Sequence, residues 1–158
     1  MQVALRAACD QDEPFFFRLF CSIREPDFAF LGDRERDAIL NMQYSARQRG
    51  LCANWPHARH MIVTEDGESI GRLSIARNGN VLHLIEIALL PERQNRGIGS
   101  FLMKQLVKEA GDCQGPQIRL YVFRSSRAVR FYQRMGFVPV SDDGVYLLME
   151  KIVQENEA

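Results

Sequence analysis

The stretch that most restricts this chain runs from Leu82 to Ala110. An apolar segment, Leu82-His-Leu-Ile-Glu-Ile-Ala-Leu-Leu90, meets Pro91 and passes through a turn carrying Arg93, Arg96, Gly97 and Gly99. It then re-emerges with apolar side chains at Ile98, Leu102, Leu106 and Ala110. An apolar run broken by proline and followed by three-and-four spacing is a strand handed to a helix. The first N–H groups of such a helix have no intrahelical acceptor, and their partial positive charge forms a socket for an anion. Glycine at 97 and 99 lets a bulky polyanion approach the backbone without meeting a Cβ. Arg93 and Arg96 add full charges beside it. The turn is therefore expected to bind a pyrophosphate.

Two common phosphate loops do not fit. A dinucleotide fingerprint needs a third glycine where Leu102 stands, and a nucleoside-triphosphate loop needs Gly-Lys-Ser/Thr, which is absent. What fits is Gln94-x-x-Gly97-x-Gly99 after Leu89-x-Pro91, with a second element downstream, Ser125-x-x-Ala128-x-x-Phe131-Tyr132-x-Arg134-x-Gly136-Phe137. The ordered pair resembles the coenzyme A loop and the Asn-x-x-Ala-x-x-Phe/Leu-Tyr-x-x-x-Gly-Phe element of the GNAT superfamily of N-acyltransferases. One position departs from the pattern: Ser125 stands where the family usually has asparagine.

The resemblance implies an α/β (α+β) fold with a mixed, mostly antiparallel central sheet, a splayed parallel strand pair and helices on both faces. It implies acetyl-CoA as co-substrate and direct transfer of its acetyl group to a primary amine on a small molecule, peptide or protein. Pantetheine would lie along Ile87, Ala88 and Leu89, as a substitute strand on edge N–H and C=O groups. The pyrophosphate would meet Gln94, Asn95, Arg96, Gly97, Ile98, Gly99 and Ser100. Ser125 would hydrogen-bond the pantetheine arm with a shorter reach than asparagine, and Arg134, with Arg130 and Arg127, would face nucleotide phosphates. Tyr132 would be the acid for the departing thiolate, since a phenol near its ordinary pKa of about 10 is protonated at neutral pH. Glu86, a carboxylate in an apolar strand, is costly to bury unless paired or solvated. It is either the base or the binder of the substrate ammonium, or a structural partner of an arginine such as Arg72. A non-catalytic CoA sensor and an enzyme using a longer acyl-CoA are the alternatives.

The 158 residues suffice for one domain, expected over residues 1–153, followed by a short polar tail at 154–158. Formal net charge is zero, so no whole-protein field favours nucleic acid or an anionic membrane. Arg119, Arg124, Arg127, Arg130 and Arg134 nevertheless crowd one segment and are read as counter-charge to the cofactor. No apolar run approaches the roughly 20 residues that cross a bilayer, and the N-terminus lacks a signal peptide's apolar centre, so a cytoplasmic protein is expected. Homodimerisation is left open. Cys9, Cys21, Cys52 and Cys113 lack Cys-x-x-Cys spacing and read as reduced, buried thiols. Cys52, His57 and His60 lack a fourth spaced ligand, so no metal site is expected.

In chain order, residues Gln2 to Arg6 read as a strand, and Asp10 as the cap of a helix ending near Arg24. Phe16, Leu19, Phe20 and Ile23 form its core stripe, while Phe15 and Phe17 fall outside it, toward a partner or acceptor. Asp33 is expected to cap a second helix ending near Arg49 with Gly50 as C-cap, and Ile39, Met42 and Tyr44 facing inward or toward a cleft. A strand meander from His60 to Ile75 with turns at Asp66-Gly67 and Asn78-Gly79 leads into the Leu82 strand. After its helix, breaking at Gly111 to Pro116, come a strand at Ile118–Phe123, a helix at Ser125–Met135 and a hairpin turning at Asp142–Gly144.

Overall fold

The computed structural model describes residues 2–112 and 117–153. Cys113, the remainder of the expected break and the polar tail lie outside the described residues. The elements are β1 (Val3–Ala7), α1 (Glu13–Arg24), α2 (Asp33–Asn54), β2 (Arg59–Glu65), β3 (Glu68–Asn78), β4 (Val81–Leu89), α3 (Ile98–Asp112), β5 (Gln117–Phe123), α4 (Ala128–Arg134), β6 (Val138–Asp142) and β7 (Tyr146–Ile152). Seven strands form one mixed sheet in the order β1-β2-β3-β4-β5-β7-β6, mostly antiparallel, with β4 and β5 parallel. No helix among the described residues is long and apolar enough to cross a membrane. Contacts cluster into two compact units: Met1–Ser74 with Glu86–Gln94, and Ile75–Ile85 with Asn95–Ala158. β3 and β4 each contribute to both.

In the first unit, β1 pairs antiparallel with β2 from Val3↔Glu65 to Ala7↔Met61. The β2–β3 turn places Asp66 and Gly67 both at positive φ, 52° and 85°, the backbone that joins two twisted strands most directly. α1 and α2 bury Phe15, Phe16, Leu19 and Tyr44 against Ile62, with Phe17, Phe20, Ile23, Ala88 and Leu90 packed around them. Phe15 is only 7% exposed and Phe17 lies edge-on to Tyr44 at 5.1 Å. Of the two phenylalanines expected to face a partner or acceptor, Phe15 is thus a core residue and Phe17 packs partly buried against that core, because the apolar face of this helix is wider than a single stripe. The entry to α1 also differs from expectation. A 3₁₀ turn occupies Asp10–Asp12, and it is Asp12 that accepts the Cys9 N–H at 2.9 Å and pairs with Arg6 at 2.7 Å. α2 continues through Gly50 to Asn54 because nothing breaks it before Trp55-Pro56; Gly32 holds its N-cap position. Leu40 is buried, whereas Met42 is 63% exposed. Cys9 and Cys52 are exposed rather than buried.

In the second unit, α3 and α4 both pack on β5. Leu102, Met103, Leu106, Ala110, Ile118, Leu120, Phe137 and Met149 are almost fully buried there. β5 pairs antiparallel with β7 from Gln117↔Ile152 to Phe123↔Tyr146, and β6 pairs with the other edge of β7. The parallel ladder between β4 and β5 consists of Val81↔Gln117, Leu82↔Ile118 and His83↔Arg119. It ends there, although β4 continues to Leu89 and β5 to Phe123.

Candidate active site

The turn before α3 departs from ordinary backbone at two places. Asn95 has φ 60° and Gly97 φ 83°, the left-handed region open to glycine and tolerated by asparagine. The first i→i−4 bond of the helix runs from Phe101 N–H to Gly97 O at 3.0 Å. The N–H groups of Ile98, Gly99 and Ser100 precede it and therefore have no intrahelical acceptor. A Cβ built on Gly97 meets nothing within 4 Å, while one on Gly99 would sit 3.5 Å from the Phe131 ring. Gly97 thus faces open space, and a side chain at Gly99 would be in ordinary contact with α4. The residues present fit a diphosphate: an uncrowded backbone at the positive end of a helix of 15 residues.

Arg93 does not join this socket. Its guanidinium is bound to Glu65 and reaches Glu68 at 3.1 Å, which corrects its assignment as counter-charge. Gln94 donates its side-chain amide to Leu89 O at 3.0 Å, so that carbonyl is already engaged. Ile87 and Ala88 lie on β4 beside it.

On α4, Tyr132 is 8% exposed and packs against Phe131 and Phe137 at ring-centroid distances of 5.4 and 5.8 Å. Burial pushes its phenol up to about 12, so the hydroxyl holds its proton throughout the neutral range. That is two units above the value that matched a thiolate in the sequence reading, so the phenol is a weaker acid than expected. α4 begins only at Ala128, where Ser126 Oγ accepts the helix N–H at 3.1 Å. Ser125 precedes it and, with Phe123, Arg124, Gly144 and Val145, lines an open cleft of about 450 Å³. Arg127, Arg130 and Arg134 are exposed. Arg119 and Arg124 are bound elsewhere, to Glu150 at 2.7 Å and Asp142 at 3.4 Å, and leave the proposed counter-charge.

The sequence matches the profile of the acetyltransferase (GNAT) family over residues 18–137. The chain belongs to the GNAT family. This family consists of acetyltransferases, and its co-substrate is acetyl-CoA. Solved structures agree on the fold. The PaiA N-acetyltransferase of Thermoplasma acidophilum, in complex with coenzyme A, superposes with a TM-score of 0.74 at 21% identity, covering 96% of this chain and 99% of that one. A spermidine N-acetyltransferase SpeG chimera from Vibrio cholerae and hSSAT gives 0.66 at 18%, covering 99% and 98%. The ribosomal-protein-S18-alanine N-acetyltransferase of Escherichia coli gives 0.65 at 15%, covering 97% and 95%. No curated protein sequence matches the chain.

In this GNAT chain the first unit holds a polar network around Glu86. Its Oε1 pairs with Arg47 Nη2 at 3.2 Å and its Oε2 lies 3.7 Å from Arg72 Nε. Oε2 is buried and accepts no hydrogen bond among the described residues. The arginine pairing considered from the sequence therefore exists, and a buried acceptor oxygen remains beside it. Arg72 stacks over the Phe16 ring, 4.1 Å from its centroid. It donates to Ser74 Oγ at 3.2 Å and to Gln48 Oε1 at 3.5 Å, and approaches His60 Nδ1 at 3.1 Å. Burial first, and then the Arg72 charge, lower the His60 pKa. The neutral ring must accept from Arg72 at Nδ1 and so carries its hydrogen on Nε2. Tyr44 donates to Glu13, and burial with that partner raises its pKa. Sequence reasoning missed Arg47, Gln48 and Glu13. The available signal was Tyr44-x-x-Arg47-Gln48, which puts two polar residues three and four positions from a core tyrosine, on the covered face of α2.

Proposed function

We propose that this chain transfers the acetyl group of acetyl-CoA directly to an amine, with residues 1–153 acting as one catalytic domain in the cytoplasm. The observation that carries the reading is the open left-handed turn at Asn95–Gly97, with the N–H groups of Ile98, Gly99 and Ser100 ahead of the first helical bond. These groups would hold the diphosphate, with Arg96 beside them and Arg134 toward the nucleotide phosphates. Ile87, Ala88 and Ser125 would take the pantetheine amides, since Leu89 O is engaged by Gln94. A β4 backbone N–H would receive the developing oxyanion.

The amine attacks the thioester carbonyl carbon; a C–N bond forms and the C–S bond breaks. The ammonium proton passes to the Glu86 carboxylate, directly or through water. Tyr132 gives its proton to the departing sulfur. Burial keeps the phenol protonated, and so able to donate, across the neutral range.

The test is thiol release from acetyl-CoA over amino acids, polyamines, aminoglycosides and short peptides, together with crystals soaked in coenzyme A. Thiol release with at least one amine, and phosphates seated at Asn95–Ser100, are the expected results. CoA binding without turnover of any amine would leave a CoA sensor instead. Phosphates elsewhere would overturn the cofactor placement. Turnover with propionyl- or succinyl-CoA exceeding that with acetyl-CoA would reassign the acyl group.

A further inference from the structure

Two guanidiniums face Glu86, and their circumstances differ. Arg72 is 5% exposed, stacked on Phe16, and committed to Ser74, Gln48 and His60. It is a fixed charge. Arg47 stands on α2 with its side chain one-third exposed, and its contact is the 3.2 Å pair with Glu86 Oε1. Arg47 is the more exposed of the two arginines, so it is the one that an arriving cation can displace. The nearby acid, Glu13, accepts from the neutral donors Tyr44 and Gln48 at Oε1 and keeps its charge. A purely cationic acceptor arriving at Glu86 would add positive charge beside two arginines and would have to displace Arg47 into solvent.

Building on the transfer reading, we propose that the acceptor is an amine carrying a carboxylate close to it, an amino acid or similar zwitterion. Its ammonium replaces Arg47 at Glu86 Oε1, and its carboxylate takes the Arg47 fork. The single Arg47–Glu86 pair becomes two pairs, and the zwitterion adds no net charge to the network. A guanidinium suits this role because its planar donors match a carboxylate in two-point contact. Arg72 is less suited to it, being buried with one donor each on Ser74, Gln48 and His60. The same arrangement disfavours polyamines, whose positive charges would lie against Arg47 and Arg72.

The experiment compares matched acceptors: α-amino acids, their amides, and their decarboxylated amines, assayed by thiol release with acetyl-CoA. The carboxylate-bearing member should show a kcat/KM higher by about tenfold or more, the yield of one charge-assisted two-point contact. In Arg47→Met the ratio should fall to about one, and Arg47→Lys should recover part of it, with CoA affinity and thermal unfolding recorded as controls of folding. Equal turnover of amides or of spermidine by the unaltered protein would overturn the proposal, as would an unchanged ratio in Arg47→Met. If no amine releases thiol although CoA binds, the transfer reading fails. Equilibrium binding of the same matched compounds to the CoA complex then decides the carboxylate preference on its own.

Discussion

The arginines of the two units are used differently. In the first unit Arg6, Arg47, Arg72 and Arg93 are each set against a carboxylate: Asp12, Glu86, Glu86 and Glu65. In the second, Arg119 and Arg124 are bound by acids on the neighbouring hairpin, while Arg127, Arg130 and Arg134 stand exposed on α4. Arg93 is the instructive case. It lies one residue before the motif, yet its partners are 28 and 25 residues away along the chain. Nearness in sequence to a phosphate loop says little about where a cation's charge is spent. The glycines divide the same way. A Cβ on Gly71 would meet Ala88 O at 2.4 Å and Leu89 Cδ2 at 2.7 Å, whereas one on Gly97 meets nothing. The first glycine serves packing inside its unit and the second faces open space.

Four changes would break or sharpen that contrast. Tyr132→Phe keeps the ring packed on Phe131 and Phe137 but removes the proton. We expect kcat to fall by about a thousandfold with CoA affinity retained, measured by steady-state kinetics and calorimetry. An unchanged kcat would make Tyr132 a packing residue of the second unit and nothing more. The unaltered enzyme should show no alkaline loss of rate from this group until the pH nears 12, because burial holds the phenol protonated.

Gly97→Val should weaken CoA binding by about a hundredfold, through loss of two charge-assisted N–H contacts at about 1.5 kcal/mol each. Calorimetric titration reads this directly, and a normal Kd would place the diphosphate elsewhere. Gly71→Ala should do the reverse: lower unfolding free energy by about 1–3 kcal/mol and leave the Kd for CoA near its original value. If the denaturation midpoint did not move, the tight approach of β3 to β4 would carry no energetic weight.

The smallest effect concerns Asp12, which the Arg6 hydrogen bond, and then the Cys9 N–H, hold well below the usual carboxylate range. A depressed carboxylate contributes stability that is present above its unfolded pKa of about 4 and is lost as the pH falls toward its folded value. Asp12→Asn should therefore lower Tm modestly at pH 7 and flatten the acid limb of the Tm–pH curve below about pH 4. An acid limb that matched the unaltered protein would remove Asp12 from the account.

Much of the second unit was legible in advance, since its elements are local. The Gly97 turn and the period of Ile98, Leu102, Leu106 and Ala110 are each written within a few residues. The first unit was less so. Helical spacing placed α1 and α2, but not that α2 runs through Gly50, that Phe15 is core and Met42 exposed, or that Asp12 rather than Asp10 holds the entry to α1. These outcomes depend on which faces are covered, and coverage is decided by segments far away in sequence.

The sequence by itself determined the order of strands and helices, the left-handed turn that needs glycine at 97, and membership of a family of acetyltransferases. Backbone geometry and apolar period act over three or four residues, and such information survives in a linear string. Only the tertiary structure decided that Arg93 belongs to Glu65 and Glu68, that Leu89 O is taken by Gln94, and that Glu86 meets Arg47 and Arg72. Ion pairs and buried hydrogen bonds form wherever folding brings opposite charges out of water together, and no local spacing encodes that meeting.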